Sequence, residues 1–378
     1  MERRDLYTTL ATRIRSGRYE SGSRLPSERA LAEELGAHRN TISRVIARLA
    51  DAGLVETHPG RRPVVRRLGM DARASRTVAL CMGNEPRFRS FQHVLRGCEM
   101  ELSAHDFRLV FRDTLAPTIE GTREKEAAAL KNLEEQPVAG LILWCQDVDT
   151  TPATLKRLRA TGTVIVAIDR LPLSFNCDFV GVDNIHGASV AVEHLLALGH
   201  RRVAFATYAE EHTSAVLERK DAYRNTMRHH GIPESELTII GIPVDTADAA
   251  IEAKARAFAQ TTDRPTAVFC VNDIMATKLT RNLLAAGVRV PEDIAIVGFD
   301  DLEGLTVHSP ILTTMRQPYE LLGRHAARLI LWRLNNPEAP IRHVLLDTSL
   351  VVRSSTVSSA APAPSPAYAG TAIDPLTL

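Results

Sequence analysis

The 378-residue sequence predicts an α/β protein in two parts, a small winged helix-turn-helix head joined to a larger body of two parallel-sheet lobes. Three observations carry this. Apolar residues recur at helical spacing over residues 6–49 and then give way to a short hairpin pattern. From residue 77 onward, short apolar β-rich runs alternate with longer helical stretches, as in parallel sheets covered on both faces. The charge is also divided. Residues 1–70 hold 14 basic and 8 acidic side chains and the rest hold 32 and 37, although the whole chain carries only +1. A chain of this length exceeds what one hydrophobic core commonly holds.

Several classes are excluded at the outset. No run of eighteen apolar residues occurs, so no membrane span is expected. Met1-Glu2-Arg3-Arg4-Asp5 is not followed by the apolar core of a signal peptide, which predicts a cytoplasmic location. The cysteines Cys81, Cys98, Cys145, Cys177 and Cys270 form no C-x-x-C pair and read as buried free thiols. No P-loop and no nucleophile elbow is present, and His186, His194 and His200 lack metal-ligand spacing. The expectation is therefore no catalytic residues, no metal and no cofactor.

The head spans residues 1–68. Leu6, Leu10 and Ile14 repeat every four residues and mark one face of a first helix. Leu25-Pro26-Ser27-Glu28-Arg29 is a turn into a second helix, with Ser27 placed to cap it. Gly36 ends that helix. A third runs from about His38 to Ala52, with Ile42, Val45, Ile46 and Leu49 as its buried stripe and Arg39, Asn40, Ser43, Arg44 and Arg48 opposite. Two short helices around a glycine-containing turn have helix-turn-helix geometry. Leu54–His58 and Pro63–Arg66 then form a hairpin wing with Arg61 and Arg62 near its tip. All 14 basic residues of residues 1–70 are arginine, which forms paired hydrogen bonds with guanine and with phosphates. The head is thus expected to bind double-stranded DNA.

Residues 6–65 resemble the winged-helix head of GntR-type regulators. The matching stretches are Leu25–Arg29, Leu31–Gly36, Arg39–Arg44 and Leu49–Val55. The resemblance implies Arg29, Arg39, Thr41 and Arg44 as DNA contacts, and Gly60 as the point where the wing backbone nears the groove. Arg48 and Arg62 join them from their positions on the helix face and the wing. The family continues its wing with a small residue and an aromatic, where this chain has Arg62-Pro63-Val64. Residues 69–76 have no clear period and read as a linker.

The body spans residues 77–353. Strands are predicted at 77–81, 108–111, 140–144, 164–168, 202–206, 238–240, 267–270 and 294–299. Helices are predicted at 91–105, 123–135, 187–198, 212–230, 246–260, 273–286 and 319–334, and a final strand at 341–347. Ligands of such sheets bind beyond the carboxyl ends of the strands. Those ends carry Arg87–Ser90, Trp144 with Cys145–Asp147, Asp169-Arg170, Asn272-Asp273 and Asp300-Asp301. Phe88, Trp144 and Phe175 can offer apolar faces to a ring, and Arg170 a donor. After Arg353 the chain turns rich in Ser, Ala and Pro, and residues 354–378 read as a disordered tail.

Residues 76–353 resemble the sensor of LacI-type repressors and the related periplasmic sugar-binding proteins. The clearest stretches are Val180–Asn184 with Gly187, His194–Val203, Pro265–Asp273, Val290–Asp301 and Leu312–Pro318. The resemblance implies a two-lobed periplasmic-binding-protein-like domain. It implies effector contacts at Arg219, Asn272 or Asp273, and Asp300. The usual glycine three positions after that arginine is Ala222 here. Head and body together resemble the arabinose-repressor branch of the GntR regulators. The expected function is a homodimeric repressor whose operator affinity changes when a sugar-like effector binds. A cytoplasmic solute-binding protein, a sugar- or nucleoside-acting enzyme and an architectural DNA binder remain alternatives at this point.

Overall fold

A computed structural model describes residues 3–15, 18–19, 22–51, 54–58, 61–65, 75–85, 88–145, 152–172, 174–209, 213–243, 247–261, 264–303 and 311–357. Gly60, most of the expected linker and residues 358–378 of the expected tail lie outside these.

The head is built as its spacing predicts. Helices α1 (Arg3–Arg15), α2 (Glu28–Glu34) and α3 (Arg39–Asp51) enclose a small core. Leu6, Leu10 and Ile14 meet Leu25, Leu31, Ile42, Val45, Ile46 and Leu49 there. Ser27 Oγ accepts from Ala30 N at 3.2 Å, satisfying one of the free N–H groups at the start of α2. Gly36, at φ +60°, closes it. The wing pairs β1 (Val55–Glu56) antiparallel to β2 (Val64–Val65). The preceding loop adds a third rung, with Leu25 N donating to Pro63 O at 2.8 Å and Val65 N to Ser23 O at 2.8 Å. This pins the wing against the base of α2.

The body consists of two lobes. The first contains β3 (Thr77–Met82), α4 (Ser90–Ser103), β4 (Arg108–Asp113), α5 (Ile119–Glu135), β5 (Gly140–Leu143), α6 (Pro152–Ala160), β6 (Val164–Ile168) and β7 (Asp178–Val182). It is completed by α11 (Tyr319–Asn335) and β13 (His343–Leu346). Its sheet has the order β13-β7-β6-β5-β3-β4, with every pair parallel. The second contains α7 (Asn184–Ala197), β8 (Val203–Tyr208), α8 (Ser214–His229), β9 (Thr238–Ile242), α9 (Ala247–Gln260), β10 (Ala267–Cys270), α10 (Asp273–Ala285), β11 (Ala295–Asp300), β12 (Thr313–Arg316) and β14 (Ser349–Val351). Its order is β14-β12-β11-β10-β8-β9, parallel except for β14 against β12. The chain crosses between the lobes three times, after β7, after β12 and after β13. Three strands crossing at one edge form a hinge.

Local chemistry explains the seams. Helix α11 packs back on the first lobe at two glycines. A Cβ on Gly97 would run into Glu320 O, and one on Gly323 into Val94 O, so the α4 and α11 backbones touch. Cys98 Sγ donates to Gly323 O at 3.3 Å in this seam. None of the five cysteines is in a disulfide, and all are buried. The second lobe continues past Arg353. Ser355 N donates to Ile311 O at 3.0 Å and Ser355 Oγ to Ile296 O at 2.6 Å, which anchors residues 354–356.

Candidate functional site

The strand ends of both lobes converge. Trp144 follows β5, Asp169 and Arg170 follow β6, Tyr208 ends β8, Asn272 follows β10, Asp300 ends β11, and Gln317 lies in the second crossing. The lobes touch at the rims. Leu171 N donates to Ser214 Oγ at 3.4 Å, and Glu303 lies 3.5 Å from Arg89 and 3.8 Å from His93. Beside the crossings a cavity of about 680 Å³ is lined by Ser90, Asp301, Gln317 and Tyr319 among others.

Arg219, 5 % exposed, is the centre of the second lobe's contribution. Its Nε donates to Asn184 Oδ1 at 2.9 Å and a terminal nitrogen to Val271 O at 2.7 Å. The same nitrogen lies 3.6 Å from Asp300 Oδ1, and the guanidinium sits 3.6 Å from the centre of the Phe299 ring. Asn184 in turn donates to Glu218 at 2.9 Å. Gly187 leaves room here, because a Cβ there would run into Thr348 Oγ1 and press on the Phe299 ring. The planar fork of arginine, held on both edges, has one orientation.

Asp300 has φ +118°, a strained value for a residue with a side chain. It accepts from Gln317 Nε2 at 2.7 Å. Burial lifts its carboxyl to about 6, against the pull of Arg219. Asp169, at φ +65°, contributes a second buried carboxylate from the first lobe, 3.3 Å from Arg170 Nε. Burial raises its carboxyl too, opposed by Arg170 and Arg219.

The remaining predicted contacts are placed as follows. Asn272 caps α10, its Oδ1 accepting from Met275 N at 2.9 Å, and its amide nitrogen lies 3.5 Å from the Tyr208 hydroxyl. Asp273 is buried behind it, accepting from Thr314 Oγ1 at 2.6 Å and Leu302 N at 2.9 Å. Burial lifts that carboxyl to about 8. Trp144 is half-buried and stacks on Tyr319 with ring centres 6.3 Å apart. Phe88 is buried just before α4. Phe175 lies in the first lobe's outer core under Arg159. Asp169 is one of the predicted strand-end groups, whereas Tyr208, Asn184 and Gln317 are not predicted contacts. Tyr208 falls two residues beyond the predicted strand end, and Gln317 follows a strand that was not predicted.

On the head, Arg29, Arg39, Arg44, Arg48 and Arg62 are exposed and Thr41 is half-buried. Arg39 is steered by Glu28 at 3.1 Å, and Arg48 lies 4.5 Å from the Tyr7 ring centre. The outer face of α3 is therefore cationic and open, as a helix that enters the major groove must be.

A cationic winged head on a hinged two-lobed cleft lined by fixed polar groups defines a DNA-binding regulator that responds to a small molecule. Comparison with known proteins agrees. Residues 2–65 match the family "Bacterial regulatory proteins, gntR family", and residues 192–356 match "Periplasmic binding protein-like domain". The chain is 31% identical over 265 residues to the HTH-type transcriptional repressor PurR of Photobacterium profundum, covering 70% of this chain and 77% of that one. It is 30% identical over 352 residues to the HTH-type transcriptional regulator CelR of Thermobifida fusca, covering 88% and 98%. A crystal structure of a LacI family regulator from Enterococcus faecium with bound ribose superposes with TM-score 0.62 and 26% identity, over 74% of this chain and 98% of that one. The chain belongs to the LacI/PurR-type family of helix-turn-helix transcription regulators. Among the described residues no helix is long and apolar enough to cross a membrane.

Proposed function

We propose that this regulator is a homodimeric repressor whose operator affinity is set by a sugar-like effector bound between the lobes. The observation that carries it is the fixation of Arg219 by Asn184, the Val271 carbonyl and Asp300 at the mouth of the sheet. Such a preorganised set presents donors and acceptors together, which suits hydroxyl groups. Arg219, Asp300 and Asn272 contact the effector, Arg170 joins from the opposite lobe, and Trp144 and Phe88 supply the apolar wall. Asp273, whose oxygens are both occupied, supports Asn272 and the loop at Leu302 from behind.

Arg39, Thr41 and Arg44 read the major groove, Arg29 and Arg48 hold phosphates, and the wing at Gly60 and Arg62 follows the backbone. A gntR-type head on this sensor supports placement in the arabinose-repressor branch. Paired heads on a palindromic site require two copies. A solute-carrying role alone leaves the cationic head unused, and the related proteins named above are regulators, not enzymes. Calorimetric titration with pentoses, hexoses and nucleosides, followed by a mobility-shift assay with each ligand found, tests the proposal. It predicts at least one ligand that binds the wild type, fails to bind Arg219→Ala and alters DNA affinity. Absence of any such ligand contradicts it.

A further inference from the structure

We propose that the cavity beside the crossings is a second ligand site, built for the phosphate group of a small hydroxylated phosphate ester. Arg219 is not part of its wall, so the proposal goes beyond the sugar reading of the cleft and does not depend on it. Its space of about 680 Å³ falls within the roughly 300–1,000 Å³ that small-molecule sites use.

The arginines of this cavity outnumber the acids that face them. Arg89 comes from the start of α4, Arg316 from the end of β12 and Arg353 from the segment after β14. Arg316 and Arg353 both donate to the one carboxylate of Asp301, each at 2.7 Å. Glu303 is the second acid, shared by Arg89 at 3.5 Å and His93 at 3.8 Å. Glu320 lies on the same wall but faces Arg96 at 3.6 Å. Three arginines thus share two carboxylates, and His93 adds a further charge on protonation. Arg316 uses only Nε on Asp301, and the two terminal nitrogens of its fork have no partner among the described residues. An arginine fork with an open edge suits phosphate oxygens. Glu303 and Arg89 are both largely exposed, so an incoming anion displaces that pair at little cost.

Two helix starts open on the same space. Helices α4 and α11, of 14 and 17 residues, have Arg89 and Pro318 at their N-caps, and neither has a side-chain cap. Ser90 and Tyr319, the first residues of the two helices, line the cavity. By contrast α5, α7, α8 and α10 are closed by Thr118, Asp183, Thr213 and Asn272. Open N–H groups at the positive end of a helix favour an anion. A phosphate, with its three oxygens pointing apart, can meet an arginine fork and helix starts together. A further feature points to a ligand that also carries hydroxyls. Gln317, 5 % exposed, lies on this wall, and its Oε1 is buried without a hydrogen-bond partner among the described residues. Its Nε2 is already engaged by Asp300. A hydroxyl next to the phosphate supplies the missing donor.

The test is calorimetric titration of the full chain, at fixed pH and ionic strength, with inorganic phosphate, ribose 5-phosphate, glucose 6-phosphate and glycerol 3-phosphate, each ester beside its neutral parent. The expected result is that at least one ester binds about tenfold or more tightly than both its parent and inorganic phosphate. Arg316→Gln and Arg89→Gln, both at exposed side chains, should each weaken that ester by about tenfold or more, the scale of one charged hydrogen bond. Arg219→Ala should leave it bound. Esters that bind no better than their parents overturn the site, and so does binding of inorganic phosphate alone, which marks an adventitious ion only. An ester lost with Arg219→Ala but kept in Arg316→Gln and Arg89→Gln sits in the cleft instead, which overturns this site and leaves the cleft reading standing.

Discussion

Replacing Arg219 by Met gives the sharpest quantitative test of the cleft. Methionine keeps the apolar stem on Phe299 but removes the hydrogen bonds to Asn184 and Val271 and the charge facing Asp300. Asp300 then keeps only the weaker pull of Arg170 as counter-charge. Breaking one side of a buried pair costs about 3–5 kcal/mol, and each lost charged hydrogen bond overlaps with that figure rather than adding to it. The expected loss in unfolding free energy at pH 7.5 is therefore about 4 kcal/mol, read from urea denaturation. Asp300→Asn alone should cost less, because Gln317 and Arg219 keep a polar partner. In the double variant the penalties should fall short of their sum by about 1–3 kcal/mol. Acid supplies a second signature. The folded Asp300 carboxyl sits near 6, above its unfolded value, so it gains a proton in the folded state before it does in the unfolded one. Without Arg219 it rises further, so at pH 5 the buried group is neutral and the cost of Arg219→Met should shrink. A loss below about 1 kcal/mol at pH 7.5, or one that is the same at pH 5, would refute the coupling of these two residues.

Further predictions concern the other parts of the molecule. Arg39→Ala should weaken operator binding by about 1–3 kcal/mol at fixed salt while leaving effector affinity unchanged, and equal binding by mobility shift would remove Arg39 from the interface. Asp178→Ala should destabilise the first lobe by about 3–5 kcal/mol, because it removes the carboxylate counter-charge of Arg333, which donates to both Asp178 oxygens at 2.7 and 2.6 Å and otherwise donates only to backbone carbonyls. Thermal unfolding at unchanged midpoint would contradict this. Gly97→Ala should force α4 and α11 apart and lower the melting temperature of the first lobe, whereas a Gly→Ala change with no effect would mean that the seam is looser than drawn. Burial lowers the His194 imidazole to about 4, with His200 adding to the effect, while Nε2 meets Thr356 Oγ1 at 3.0 Å. The unfolded chain takes its proton near the ordinary value of 6.5, so this contribution is intact above 6.5, is lost as pH falls towards 4, and amounts to roughly 2–3 kcal/mol. His194→Gln should flatten that part of the stability profile.

Much of the fold is legible in the residues because the central strands are nearly continuous apolar runs between helices. Thr77–Cys81, Val164–Ile168 and Ala267–Cys270 need no partner to be recognised. The elements that escape are those whose burial depends on distant partners. Asp178 opens β7, and its burial is compensated by Arg333 from 155 residues away and by the Arg342 backbone N–H. Thr313 and Thr314 in β12 read as polar, yet they are buried by hydrogen bonds to Ser355, Thr356 and Asp273. The same holds for the cleft. Arg219 stands out in sequence by resemblance, but its partners Asn184, Val271 and Asp300 come from three other elements. The division of labour between Asn272 and Asp273 also depends on three dimensions. Both can cap a helix, and only Gly298, which leaves space for the Asp273 carboxylate, settles which one turns inward.

The proposed function requires that occupancy of the cleft and grip on DNA be linked. The most direct measurement is the affinity of the full chain for its operator duplex, at one salt concentration, with and without saturating effector. Linkage requires the dissociation constant to change by roughly 5–150-fold, and effector affinity to change by the same factor when DNA is bound. An effector that saturates the cleft while both affinities stay fixed would contradict the account.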